Sequence, residues 1–142
     1  MSETLPRPPR LADWQTRLTG YLARCAGAPF EWGRQDCALF LAGAVEAMTG
    51  ADFARPYRGN YQSAGEGRAL LRQNGFASHV DLARRTLPGK HRSRAAPGDG
   101  AILRARGGIM LGVFQGPQVY VLRADRGLAL LSPDCVIRVL EV

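Results

Sequence analysis

Apolar positions recur at helical spacing through the first half of the chain and in short, interrupted runs through its last third. Trp14, Leu18, Tyr21, Leu22 and Cys25 share one stripe, which predicts a helix over residues 11–25 ended by Gly27 and Pro29. Residues 37–48 are apolar on most of the circumference, with Ala and Gly at many positions, so a buried and closely approached helix is expected there. Asp36 suits its N-cap, and Gly50, after Thr49, suits the left-handed position past its end. Ser63 with Glu66, and Ser78 with Asp81, are capping boxes that open helices running to Asn74 and to about Leu87. From Gly98 the period shortens. Residues 101–103, 109–114, 119–122, 128–131 and 136–142 read as five strands, separated by turn signals at Gly107-Gly108, Gly116-Pro117, Asp125-Arg126-Gly127 and Ser132-Pro133-Asp134. Helices followed by an antiparallel sheet make an α+β arrangement, with the sheet packed on the buried helix.

Composition narrows this picture. With 142 residues, 46% of them hydrophobic, one domain over residues 11–142 is expected, behind an extended Pro-rich leader over residues 1–10 (Pro6, Pro8, Pro9). No run approaches the roughly 18 apolar residues of a membrane span, and the leader lacks a signal-peptide core, so synthesis in the cytoplasm is expected. Cys25, Cys37 and Cys135 are odd in number and without CxxC spacing, which argues against a disulfide framework, a zinc site or any metal cofactor.

The net charge of +7 is concentrated in Arg84-Arg85, in Lys90-His91-Arg92-Ser93-Arg94 and at Arg104 and Arg106. Such a stretch is either a solvated basic loop or a surface for an acidic partner, with Lys90, Arg92 and Arg94 as the candidate contacts. Aromatic residues are not interleaved with these charges, so nucleic acid is not an expected partner.

One dipeptide carries candidate chemistry. A cysteine in the first turn of a buried helix lies where unpaired backbone N–H groups and the helix dipole favour a thiolate and an oxyanion. Asp36-Cys37 is such a place, although a base must come from elsewhere in the chain. The two histidines are His79, beside Ser78 at a helix start where the dipole keeps it neutral, and His91, between Lys90 and Arg92. Nothing in the sequence brings His79 near Cys37. Asp36 or Asp99 has the chemistry to orient a base but not to replace an imidazole.

Five segments carry a family resemblance. Phe30-x-Trp32-Gly33-x-x-Asp36-Cys37 resembles the Tyr-x-Trp-Gly...Asp-Cys-Ser signature of NlpC-type papain-like peptidases of peptidoglycan. Pro97-Gly98-Asp99-Gly100-Ala101-Ile102-Leu103 is similar to that family's Pro-Gly-Asp-Leu-Val strand, and Met110-Leu111-Gly112-Val113-Phe114-Gln115-Gly116 to its His-Val-Gly-Ile-Tyr-x-Gly strand. Thr49-Gly50-Ala51-Asp52 and Arg58-Gly59-Asn60-Tyr61 resemble segments of short phage and gene-transfer-agent proteins of the same superfamily.

The resemblance implies a papain-like fold and Cys37 at the nucleophile position. The family's catalytic histidine falls on Met110, its tyrosine on Phe30 and the serine after the cysteine on Ala38, so three polar groups around one thiol are apolar here. The expectation is a degenerate, inactive domain acting as an interaction component of a phage-like tail or tail tip, with other virion proteins as partners and peptidoglycan as a further contact. The competing expectation is an active cysteine amidase or endopeptidase of peptidoglycan that uses Cys37, with His79 as the candidate base.

Overall fold

The computed structural model describes residues 9–106 and 108–142. Most of the leader therefore lies outside the described residues. Helix α1 spans Trp14–Gly27, starting later than the apolar stripe predicts because Leu11 is engaged elsewhere: its N–H donates to Met48 O at 2.8 Å. Helix α2 spans Cys37–Thr49 and ends at Gly50, whose φ of 84° is the left-handed conformation expected of it. Nine of its residues are buried, and Gly43 lets the Tyr21 ring of α1 sit where a Cβ would be. The Tyr21 hydroxyl donates to the Phe40 carbonyl at 2.8 Å, which pins the two helices together.

Helices α3 (Ala64–Gln73) and α4 (His79–Thr86) start where their caps predict, with Ser63 Oγ accepting from Glu66 N and Ser78 Oγ from Asp81 N, each at 3.1 Å. In both, the acid reaches back one residue beyond the cap, Glu66 to the Gln62 N–H and Asp81 to the Ala77 N–H.

The sheet has six strands, not the five that the pattern predicts: β1 (Gly89–Lys90), β2 (Gly100–Ala105), β3 (Gly108–Gln115), β4 (Gln118–Arg123), β5 (Gly127–Leu131) and β6 (Val136–Leu140). They are ordered β1-β6-β2-β3-β4-β5, and every pairing is antiparallel. A two-residue strand is too short to show alternation. It forms because β6, returning to pair with β2, leaves its other edge open to Gly89 and Lys90.

Each face of the sheet has its own core. Ile102, Leu111, Val113, Leu122 and Leu140 pack on Leu18 and Leu22 of α1 and on Phe40, Leu41, Ala44 and Met48 of α2. Ala101, Leu103, Phe114, Val119, Val121, Val136 and Val139 form a second buried cluster on the opposite face.

Asp99 ties the chain ends to the turn before β2. It is 1% exposed, and it accepts from Ala96 N at 3.0 Å and from Val142 N at 3.2 Å. Lys90 Nζ lies 2.7 Å from its carboxylate and an Arg10 guanidinium nitrogen 3.4 Å from it. Two sequence expectations are corrected here. Lys90 is not a free contact for a partner, because its ammonium neutralises a buried carboxylate. Asp99 is committed to this junction and orients no base. Arg92 and Arg94 stay exposed in a single 3-10 turn.

Removing the Asp99 charge takes the nearest carboxylate from Lys90, which keeps Glu141 Oε1 at 4.0 Å, and a carboxylate contact from Arg10, and breaking such a largely buried pair costs about 3–5 kcal/mol. Asp99→Asn is expected to lower the midpoint of chemical denaturation by that amount of stability. Arg94→Gln, at an exposed position, is expected to leave the midpoint within about 0.5 kcal/mol.

Candidate functional site around Cys37

The site is built on Asp36. Its side chain is fully buried and accepts from Leu39 N and Gly33 N, each at 2.8 Å, and from the Tyr61 hydroxyl. The first of these caps α2 and the second closes the turn before it. The third reaches 25 residues along the chain to the loop that follows α2. Gly33 is required in this turn: at φ +84° its Cα faces the Tyr61 backbone, where a Cβ would overlap the carbonyl oxygen. The Gly33 carbonyl in turn accepts from Gly59 N at 2.7 Å. Within the loop, Arg58 pairs with Asp52, which also accepts from Ala54 N at 3.0 Å. The motif residues Gly33, Asp36, Asp52, Arg58, Gly59 and Tyr61 thus form one hydrogen-bonded assembly that lays residues 51–61 against the start of α2. Gln35, in the same turn, buries its amide nitrogen without a hydrogen-bond partner.

This assembly walls a cavity of about 250 Å³. Trp32, Leu39, Tyr57, Leu71 and Leu82 supply apolar walls, and Cys37, Arg68, Ser78 and His79 supply the polar groups. Trp32 is held edge-on against Phe30, with ring centroids 5.0 Å apart. Ala38 lines the cavity beside Cys37, where a serine would have placed a hydroxyl. The structure therefore brings together two residues that the sequence leaves unrelated. The turn between α3 and α4 folds α4 back so that His79 and Cys37, the first residues of their helices, open on the same space.

The electrostatics of the pair are clear in direction. Burial pushes the Cys37 thiol above its ordinary pKa, and the neighbouring Asp36 charge adds to this; the N–H groups of Cys37 and Ala38 oppose it more weakly. Burial also holds His79 below its ordinary value of 6.5, with the Asp36 charge acting against the shift. Both groups rest uncharged near neutral pH. Neither makes a side-chain hydrogen bond among the described residues.

The remaining candidates lie elsewhere. Met110, where the sequence resemblance would place a histidine, pairs with Leu103 and packs into the cluster on the sheet face away from α2. Gly112 lies on that same face, where a Cβ would meet Tyr120 O at 2.6 Å. His91 is exposed, its Nδ1 2.8 Å from Ser93 Oγ. Among the described residues no group of three or more His, Cys, Asp or Glu side chains is placed to hold a metal.

Two outcomes test this description. Tyr61→Phe removes one donor from a buried carboxylate and is expected to destabilise the fold by about 1.5–3 kcal/mol in urea denaturation. For His79, the folded pKa lies below the unfolded one, so the unfolded chain binds the proton first as pH falls. Stability is expected to drop as pH falls below 6.5, and His79→Gln is expected to remove that part of the drop.

Comparison with curated proteins finds no match to the chain. Residues 9–142 match the family described as Domain of unknown function (DUF6950). That match spans the helices, the sheet and every residue around Cys37, and the chain belongs to this family.

Proposed function

We propose that the chain is a papain-like domain that has lost cysteine chemistry and serves as an interaction component, in a phage-like tail or tail tip. One observation carries the loss of chemistry. Cys37 opens on an apolar-walled cavity in which burial and the Asp36 charge both favour the neutral thiol, and no side chain hydrogen-bonds it. A working nucleophile needs the opposite surround, with a base in hydrogen-bond reach and a third group holding that base. The apolar residues at Phe30 and Ala38 agree with this reading, whereas Met110, expected beside the thiol, lies on the sheet face away from α2 and takes no part in its surround. The papain-like assignment is supported by a helix that opens on Cys37 and packs on an antiparallel sheet following it in sequence. Placement in a tail, beside other virion proteins or peptidoglycan, rests on the sequence resemblance alone.

A second reading has a specific observation in its favour: Cys37 and His79 line one cavity. A neutral imidazole there has the form to take the thiol proton; the sulfur then attacks an amide carbonyl of a peptidoglycan stem peptide, the C–N bond breaks as the imidazolium returns the proton to the leaving amine, and water hydrolyses the thioester. The Cys37 and Ala38 N–H groups, at the start of α2, are the donors available to the oxyanion.

Alkylation separates the two. The rate of iodoacetamide labelling at Cys37, read by mass spectrometry against pH with Cys37→Ala as control, is expected to rise with a midpoint above about 8.5. His79→Gln is expected not to move that midpoint, and neither protein to release fragments from purified peptidoglycan. A midpoint below about 6.5 that climbs in His79→Gln, together with Cys37-dependent fragment release, would establish the enzyme instead.

A further inference from the structure

The cavity beside Cys37 is a formed space, and what fills it follows from its size and lining. At about 250 Å³ it falls below the roughly 300–1,000 Å³ that encloses a drug-sized ligand. It takes one large side chain and leaves the rest of the ligand outside. Its walls, from Trp32, Leu39, Tyr57, Leu71 and Leu82, are apolar and held by the Asp36 assembly rather than by a ligand. The charged side chain that lines the cavity is cationic; the Asp36 carboxylate next to Cys37 is buried under three donors and is not part of the lining. Arg68, one turn into α3, lines the cavity and is exposed, and it makes no ion pair among the described residues. No carboxylate lines the cavity to neutralise it. His79, neutral by burial, adds a ring nitrogen without a partner.

We propose that this cavity binds the C-terminal residue of a partner polypeptide, with an apolar side chain seated among Trp32, Leu39 and Leu82 and the terminal carboxylate paired with Arg68. Size favours a peptide end over a whole small molecule. Charge favours an end over an internal residue, because only the terminal residue presents an apolar side chain and a negative group together. A planar guanidinium donates two parallel N–H bonds to a carboxylate, so a carboxamide in its place forfeits most of the interaction. The inference deepens the interaction reading given above by naming the chemistry of the partner. It does not require Cys37 to be unreactive.

The experiment uses the full chain carrying Cys37→Ala, so that catalysis plays no part, and Trp14→Phe, which leaves Trp32 as the fluorescent reporter. Pentapeptides ending in Leu or Phe are titrated as the free acid and as the C-terminal amide. The free acids are expected to saturate a change in Trp32 emission, the amides to bind at least tenfold more weakly, and Arg68→Gln to erase the difference between them. Raising salt is expected to weaken the acids and not the amides. Equal binding of acid and amide, or an acid preference that survives in Arg68→Gln, would overturn the proposal. N-acetyl-leucine binding as tightly as the pentapeptide would overturn the peptide as source in favour of a free acid. These readouts are independent of the alkylation profile, so failure here and failure of the non-catalytic reading are separate results.

Discussion

The Asp36 carboxylate is the constraint on which the site depends. A buried carboxylate is costly unless its oxygens are satisfied, and here three donors from three parts of the chain converge on it. Each donor sets something different. The Leu39 N–H starts α2, the Gly33 N–H folds the turn that carries Trp32, and the Tyr61 hydroxyl brings in the loop that walls the cavity. The residue that opens the helix also positions the space in front of it, which explains why Gly33 and Tyr61 are needed as much as the aspartate.

The same carboxylate works against the chemistry that its neighbour suggests. A helix N-terminus favours a thiolate at Cys37, but a buried negative charge one residue away and the apolar walls favour the thiol. In the direction of the shift, burial and Asp36 outweigh the backbone N–H groups. Asp36 acts on His79 in the opposite sense, since its charge favours an imidazolium that burial disfavours. Two neutral groups facing a shared apolar cavity are the basis of the recognition role proposed above. An enzyme on the same scaffold would need a polar group to hold the imidazole, and of the positions where the sequence resemblance would place polar groups, Phe30 and Ala38 are apolar and Met110 faces away from α2.

A second buried carboxylate governs the other end of the domain. Asp99 gathers Arg10, Lys90 and the backbone of Val142 at the turn into β2, so part of the positive charge that stands out in the sequence is internal counter-charge. A run of basic residues read along the chain overstates what a partner meets. Lys90 is spent inside, while Arg92, Arg94 and the distant Arg68 remain outside.

Local chemistry made much of this legible without coordinates. Four helices, the N-caps of three of them, five of the six strands and the turns between them follow from apolar period and from residues such as Asp36, Ser63, Ser78 and Gly50, because caps and turns are decided within a few residues. Cys37 as the first residue of a buried helix was readable for the same reason. Strand β1 was not, since two residues carry no period and pair only because β6 presents an edge. The roles of Tyr61 and Arg68, the capture of Lys90 by Asp99, the orientation of Met110 away from α2, and the meeting of His79 with Cys37 were all decided by tertiary structure. They rest on how whole elements pack, across a turn for Lys90 and Asp99 and across two helices for Cys37 and His79, through burial and charge pairing that apolar period and capping chemistry do not encode.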